Sequence, residues 1–212
     1  MTKTTNHEKF KALMQFFKTE EAKSPRRIFH PDLEVYNSIT NEDSLKKASV
    51  LIAVTRPTPQ TESQIVLTVR SADLKSHAGQ ISLPGGKHEN TDSDAIATAL
   101  RESEEEIGLP PSEVKILGKL GDLALPSGYL VTPIVGLINA GIHFTRQEEE
   151  VDDIFEAPLS LVVDIPSYKK SKVDFKGKER TILEIQYGCY RIWGATAAIL
   201  FNLAQKVSQK SI

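Results

Sequence analysis

The stretch RESEEEIGLP, residues 101–110, concentrates four glutamates and one arginine in six residues and then reaches a glycine. In an α-helix, side chains three and four positions apart are neighbours, so Glu102, Glu105 and Glu106 share one face. The face expected to point to the core carries Ile96, Leu100, Ser103 and Ile107. The pattern predicts a helix over residues 94–107 with a crowded acidic face.

Two interpretations of this acidic face compete. A run of charge usually lies on a solvated helix surface, although neighbouring carboxylates repel one another there. This cluster lies at the C-terminal end of its helix, where the macrodipole disfavours anions. Mg²⁺ prefers carboxylate oxygens and would remove the repulsion, and Arg101 could hold one carboxylate in place. The helix alone leaves a solvated face and a cation site both open.

A glycine turn precedes the helix in the stretch GQISLPGGK, residues 79–87. Gly85 and Gly86 follow a proline and form a turn in which the backbone can approach a ligand closely. Asp92 and Ser93 are the candidate N-caps of the helix. Strand, glycine turn, loop and acidic helix follow one another as one unit, which favours a cation site over a plain surface helix.

This unit resembles the Nudix box. Residues 101–109 match the second half of the box, with Ser103 in place of the usual alanine or apolar residue. In the first half, the loop before the helix is one residue longer than the general pattern. The position of the expected early glutamate falls at Ser93, and Glu89 and Asp92 are the candidate substitutes.

A second signature resembles the coenzyme A pyrophosphatase branch of the Nudix superfamily. It is LTVRSADLKSHAGQISLPGG, residues 67–86, with Lys75 where the branch usually has arginine and Leu83 where it usually has phenylalanine. Further stretches similar to that branch are PSGYLVTPIVGLI, EEEVDDIFEAPLSLV and IWGATAAIL. The resemblance covers about residues 48–203.

The fold that this resemblance implies is α+β, the Nudix α/β/α sandwich with a mixed β-sheet flanked by helices. The sequence agrees, because β-branched apolar runs typical of strands surround one central helix. We expect a short amphipathic helix at residues 7–19, a closing helix from residue 194, and a loop before a helical turn at residues 158–163. The predicted organisation is an N-terminal helical extension, residues 1–30, and a single Nudix domain with a C-terminal helix, residues 31–212.

The resemblance also implies roles for individual residues. The metal ligands would be Glu102, Glu105 and Glu106. The catalytic residues would be Glu105, Arg101 and Glu150, with Glu148 and Glu149 as alternatives to Glu150. The substrate-binding residues would be Arg70, Lys75, His77, Gly85 and Gly86. Ser127 and Gly128 are a second choice, because they also fit a plain turn.

The function implied is Mg²⁺-dependent hydrolysis of the pyrophosphate bond of coenzyme A or its derivatives, with Mn²⁺ able to replace Mg²⁺. The products would be 3′,5′-ADP and 4′-phosphopantetheine or its acylated form. Two alternatives stay open. One is a Nudix hydrolase for another nucleoside diphosphate derivative, such as ADP-ribose or a dinucleotide. The other is a Nudix-like binding module without catalysis.

Composition narrows the partners and the compartment. The net charge of −2 over 212 residues gives no sign of a nucleic-acid or membrane-surface binder. The single cysteine, Cys189, excludes an internal disulfide and is expected to be a small packed residue in a strand. Trp193 is expected in the core. We therefore expect a cytoplasmic protein with a small-molecule substrate, no nucleic-acid or membrane partner, and a homodimer as one compatible state.

Overall fold

The computed structural model describes residues 3–29, 44–74, 76–175 and 177–208. The helices are α1 (Lys3–Phe16), α2 (Glu20–Lys23), α3 (Ala95–Ile107), α4 (Leu159–Val162) and α5 (Gly194–Ser208). The strands are β1 (Lys46–Thr55), β2 (Gln64–Arg70), β3 (Ile81–Ser82), β4 (Gly85–Lys87), β5 (Lys115–Lys119), β6 (Leu123–Leu125), β7 (Tyr129–Ile138), β8 (Val151–Pro158), β9 (Lys169–Phe175), β10 (Lys178–Tyr187) and β11 (Tyr190–Trp193). Short 3₁₀ turns lie at Pro111–Glu113 and Ile165–Ser167.

The centre of the molecule is the parallel pair of β1 and β7, which runs in register from Lys46 opposite Tyr129 to Thr55 opposite Ile138. Both strands become almost continuously buried towards their C-terminal ends, as expected of strands covered on both faces. The main path of this sheet is β3-β2-β1-β7-β5, and β8, β4 and β6 pair with β2, β1 and β7. All these other pairs are antiparallel, so the sheet is mixed.

Helices cover both faces of the mixed sheet. On one face, Ala99 and Ile107 of α3 pack against Leu51, Ala53 and Val66 of the central strands. The opposite face belongs to a larger apolar cluster, which includes residues of α1, α5 and a second, antiparallel sheet ordered β11-β10-β9. The α+β class with a mixed sheet between helices, predicted from the sequence, is therefore confirmed. No helix in the described ranges is long and apolar enough to cross a bilayer.

The predicted elements differ from the structure in three places. The N-terminal helix begins earlier than residue 7 and ends at Phe16, and a separate turn of helix follows over Glu20–Lys23. The segment expected to be a loop before residue 158 is strand β8. Its acidic residues hid the strand pattern, although the helical turn after it is present at Leu159–Val162. Strand β9, rich in lysine, was also missed. The predicted boundary between the N-terminal extension and the Nudix domain falls at residue 30. Residues 30–43 lie outside the described chain, so this boundary stays a prediction.

Two predictions about side chains were wrong. Cys189 is exposed, because it lies in the tight turn between β10 and β11 and not inside a strand. Trp193 is only partly buried, and the Arg191 guanidinium carbon lies 5.8 Å from the centroid of the Trp193 ring. In α3, the predicted core stripe is confirmed in part: Ser103 and Ile107 are fully buried and Ile96 packs against the core, whereas Leu100 is partly exposed.

Candidate active site

The ends of α3 determine where its acidic residues lie. At the N-terminus, Asp94 is the N-cap, because its side chain accepts a hydrogen bond from the Ala97 N–H at 2.8 Å. The predicted caps, Asp92 and Ser93, were therefore wrong by one or two residues. At the C-terminus, Gly108 adopts φ 65° and donates to the Glu104 carbonyl. This left-handed cap, which favours glycine, ends the helix directly after its acidic turn.

Glu106 is the most buried carboxylate of the helix, with only 3% of its side chain exposed. Its Oε2 accepts a hydrogen bond from the Gly85 N–H at 3.0 Å, and its Oε1 lies 3.7 Å from the Arg70 guanidinium. Burial raises the pKa of Glu106 to about 7, while the Gly85 hydrogen bond and the Arg70 charge act in the opposite direction. Glu106 thus joins the glycine turn to the arginine at the end of β2.

Glu102 lies one turn before Glu106 and has 15% of its side chain exposed. Its carboxylate packs directly on Gly86, where an added Cβ would lie 2.4 Å from the Glu102 Oε2. Burial raises the pKa of Glu102, and the nearby Arg101 guanidinium opposes that rise. A side chain at position 86 would therefore displace the Glu102 carboxylate from this position.

Glu105 has a different environment, with 58% of its side chain exposed. Its Oε2 accepts a hydrogen bond from Arg101 at 2.9 Å. The three glutamates share one helix face, as predicted, but they differ in how far each is exposed to solvent. Glu106 is on the buried side of that face, Glu105 is on the solvent side, and Glu102 lies between them.

Arg101 connects the helix to the loop before it. Its Nε and Nη2 donate to the two carboxylate oxygens of Asp92, at 3.0 and 3.1 Å. The same guanidinium donates to the Lys87 carbonyl, to Glu102 and to Glu105. These hydrogen bonds, with Arg101 as the main cause, hold the pKa of Asp92 well below its usual range. Of the two candidate substitutes for the early glutamate, the one against Arg101 is Asp92.

The loop that carries Glu150 is attached to the end of α3 by its backbone. The Gln147 N–H donates to the Glu106 carbonyl at 2.9 Å, and the Thr145 N–H donates to the Ile107 carbonyl at 3.0 Å. Both acceptors are carbonyls that a helix C-terminus leaves without an intrahelical partner. Through this attachment, the charge of Glu150 contributes to the raised pKa of both Glu102 and Glu106.

The two alternatives to Glu150 have other surroundings. Glu148 is exposed and lies 3.6 Å from the Arg146 guanidinium. Glu149 is exposed, and its N–H donates to the Gln147 side chain at 3.0 Å. The charge of Glu150 is among the causes that raise the pKa values of Glu102 and Glu106, which supports Glu150 as the candidate for the loop role.

The loop between β2 and β3, residues 71–80, carries the upstream signature. Arg70 directly precedes it and lies beside Glu106. His77 is exposed, has φ 58°, and its Nδ1 lies 2.9 Å from the Gln80 Oε1. Lys75 falls outside the described residues. The second-choice pair, Ser127 and Gly128, lies in the turn between β6 and β7.

The structure thus brings together most of the predicted site residues. Those that converge around the end of α3 are Arg70, Gly85, Gly86, Arg101, Glu102, Glu105, Glu106 and Glu150. His77 has a described side-chain contact only within its own loop. Sequence reasoning missed the Gln147 backbone attachment and the contact of Asp152 with the Ala72 N–H. Neither contact has a sequence motif, because the first joins two backbone groups and the second joins a side chain to a backbone N–H.

The donor chemistry fits a hard divalent cation. Glu102 and Glu106 are carboxylates whose pKa values burial raises, and the negative charge of Glu150 raises them further. A bound cation would favour their ionised forms, and Mg²⁺ selects oxygen ligands of this kind. Within the described chain, no three acidic, histidine or cysteine side chains already stand in ligand geometry. Glu105 is paired with Arg101 in this arrangement.

Comparison with known proteins identifies the family. A family model described as the NUDIX domain matches residues 45–162, more than half of the chain. The chain belongs to the Nudix family. Its Nudix domain therefore contains the mixed sheet, α3 and the loop of Glu150, whereas α1, the second sheet and α5 lie outside the matched range.

Relatives and a solved structure agree with this assignment. An uncharacterized Nudix hydrolase, NudL, from Photorhabdus laumondii is 43% identical over 166 residues, which cover 78% of this chain and 87% of the relative. NudL from Yersinia pestis is 43% identical over 174 residues, covering 82% and 83%. The structure of a MutT/nudix family protein from Enterococcus faecalis aligns with a TM-score of 0.51 at 11% identity, over 84% of this chain and 68% of that one.

These relationships establish the coarse function. The fold is the Nudix α/β/α sandwich that the sequence predicted. The protein is a Nudix pyrophosphohydrolase, which acts on a small nucleotide-like substrate with a divalent cation, as Nudix hydrolases generally do. This assignment contradicts the alternative of a Nudix-like binding module without catalysis.

Proposed function

We propose that this Nudix hydrolase cleaves the pyrophosphate bond of coenzyme A and its derivatives, giving 3′,5′-ADP and 4′-phosphopantetheine or its acylated form. One observation carries the proposal. Arg70, the arginine of the upstream signature, lies 3.7 Å from the buried carboxylate of Glu106. The signature that distinguishes this branch thus adjoins the acidic helix common to the family.

Glu102, Glu105 and Glu106 would hold the metal, Mg²⁺ or Mn²⁺. When bound, the cation would neutralise charge on the pyrophosphate and lower the pKa of an attacking water. Glu105 is the solvent-side ligand and would have to exchange its contact with Arg101 for the cation. Support for these ligands comes from the burial of Glu102 and Glu106 beside the glycine turn.

The other predicted residues would act on the substrate or on the ligands. Glu150 would accept a proton from the attacking water, since its loop is attached to the end of α3. Arg101 would orient the carboxylates of Glu102 and Glu105 through its hydrogen bonds. Arg70, Lys75 and His77 would contact the substrate, and an arginine suits bidentate binding of phosphate. Gly85 and Gly86 would let the backbone approach the substrate.

The test is a substrate screen with products identified by mass. Coenzyme A, dephospho-coenzyme A, ADP-ribose and a dinucleoside diphosphate are each supplied with Mg²⁺, with Mn²⁺, and with a chelator. We expect coenzyme A to give the highest kcat/KM and the chelator to abolish turnover. Dephospho-coenzyme A should react about 10- to 100-fold less efficiently, because one charge-assisted contact to the 3′-phosphate is lost.

Three outcomes would contradict the proposal. A wide preference for ADP-ribose over coenzyme A would assign the enzyme to the alternative substrate class, which stays open because Lys75 and Leu83 depart from the upstream signature. Full turnover in the chelator would remove the metal from the reaction. Equal efficiency with and without the 3′-phosphate would show that the upstream signature does not recognise that group.

A further inference from the structure

Two successive aspartates at the start of β8 contact different parts of the molecule. The Asp152 Oδ2 accepts a hydrogen bond from the Ala72 N–H at 3.0 Å. The Asp153 Oδ2 accepts one from the Tyr190 hydroxyl at 2.7 Å. Neighbouring side chains of a strand point to opposite faces. Asp152 therefore contacts the loop after β2, whereas Asp153 contacts the second sheet.

The loop that Asp152 contacts begins where the β2–β8 ladder becomes irregular. The register shifts between Val69, which is opposite Asp153, and Arg70, which is opposite Val151. Beyond the shift, the Ser71 N–H still donates to the Glu150 carbonyl at 2.8 Å. The next donor, the Ala72 N–H, has the side chain of Asp152 as its acceptor. The Asp152 side chain thus holds the loop to β8 one residue beyond the backbone hydrogen bond of Ser71.

Asp152 is itself held in place by the loop before β8. The Arg146 guanidinium donates to the Asp152 carbonyl and lies 3.6 Å from the Glu148 carboxylate. The same loop is attached to α3 through Gln147. A continuous series of contacts therefore runs from the end of the acidic helix, through Asp152, to the first residues after Arg70.

We infer that Asp152 is a positioning residue, which fixes the described part of the substrate loop, residues 71–74 and 76–80, relative to Glu150 and the acidic helix. The inference rests on the proposed function in one respect, namely that Arg70 and this loop bind the substrate. Two hydrogen bonds hold the far end of the loop independently, from the Arg70 N–H to the Gln80 carbonyl and from the Gly79 N–H to the Arg70 carbonyl. Loss of the Asp152 contact should therefore loosen the start of the loop without unfolding it.

The kinetic test compares three variants on the best substrate found in the screen. Asp152→Ala should raise KM about threefold to tenfold, the equivalent of one modest hydrogen bond, with little change in kcat. Asp152→Asn should restore KM, because its amide oxygen can still accept from the Ala72 N–H. Asp153→Ala, the matched control, loses a hydrogen bond to Tyr190 and should leave KM unchanged.

A second measurement separates positioning from substrate identity. Amide exchange at Ala72, followed by NMR without substrate, should be faster in Asp152→Ala than in the parent or in Asp153→Ala. Unchanged exchange would overturn the positioning role. Faster exchange with an unchanged KM on every substrate that is cleaved would show that this loop does not bind substrate. A substrate other than coenzyme A would contradict the proposed function alone, since neither measurement depends on that choice.

Discussion

At the scale of single residues, Asp92 shows how this chain compensates for its unusual loop. Its carboxylate, 4% exposed, binds the Arg101 guanidinium through both oxygens. It also accepts from the Thr98 hydroxyl and the Glu89 N–H, both at 2.9 Å. Arg101 in turn contacts Glu102 and Glu105. Asp92 therefore holds the Arg101 guanidinium in the orientation from which it contacts Glu102 and Glu105.

The replacement Asp92→Asn should lower the free energy of unfolding by about 1.5–3 kcal/mol at pH 7, because a hydrogen-bonded charge pair is lost. The pKa of Asp92 is lowered in the folded state, so its stabilisation is complete above the unfolded value near 3.8. That stabilisation disappears as the pH falls further, when the folded carboxylate becomes protonated. Urea unfolding of both proteins in a chelator should therefore show a stability difference that shrinks below about pH 4.

Asp94→Asn is the matched control for this measurement. It removes the same charge two residues away, but asparagine caps a helix about as well as aspartate does. Its stability should remain within about 0.5 kcal/mol of the parent. An Asp92→Asn variant as stable as this control at pH 7 would show that the contact with Arg101 does not stabilise the fold.

At the scale of elements, the packing of strand β4 against α3 positions the site. Gly85 has φ 150°, and a Cβ there would lie 2.3 Å from the Ser49 carbonyl oxygen on β1. At Gly86 the nearest atoms are those of the Glu102 carboxylate, the end of a flexible side chain. The two glycines are therefore required for different reasons. The first lets two strands approach, and the second leaves room for a carboxylate.

Gly86→Ala and Gly85→Ala should consequently fail in different ways. Gly86→Ala should fold with nearly unchanged melting temperature and lose about 100-fold in kcat/KM, because Glu102 is displaced. Gly85→Ala should lower the melting temperature, because its methyl group meets backbone that cannot move aside. Thermal unfolding and kinetics on the same preparations check both. Normal activity in a well-folded Gly86→Ala would exclude the packed position of Glu102 as the active one.

The elements that the sequence predicted are those with strong local patterns. The sequence predicts the apolar runs of β1, β2 and β7 and the amphipathic α3, because burial and periodicity coincide there, whereas the N-cap of α3 was misplaced. Strand β8 was missed, because Asp152 and Asp153 look like loop residues until their partners, Ala72 and Tyr190, are known. The acidic face was predictable, since it is local in sequence. The attachment of α3 to the Glu150 loop was not predictable, because it consists of backbone hydrogen bonds and nearly every residue has those groups.

At the scale of the whole molecule, the large apolar core joins segments from both ends of the described chain. Leu13 and Phe16 of α1 belong to the same buried cluster as Leu200 and Leu203 of α5. An ion pair between Glu21 and Lys206 accompanies this packing. The N-terminal helix therefore contributes to the core, even though it lies outside the residues that match the Nudix family model.

Phe16→Ala should destabilise the protein by about 3–5 kcal/mol, because its side chain is 1% exposed and its removal leaves a cavity. Phe29→Ala is the control, since that ring is 65% exposed, and it should change stability by less than about 0.5 kcal/mol. Chemical denaturation monitored by circular dichroism measures both. Equal stability of the two variants would mean that α1 is an appendage and not part of the core.

The pairing of α1 with α5 also sets the order in which the protein can be completed during translation. A ribosome adds about 5–20 residues per second, and chains fold as their contacts become available. The apolar face of α1 emerges early, whereas its partner begins only at Gly194. The parallel contact of β1 with β7 also has to wait, until residue 138 is made. Until the residues of α5 are made, the apolar side chains of α1 lack these partners, and such transiently exposed apolar surface favours aggregation.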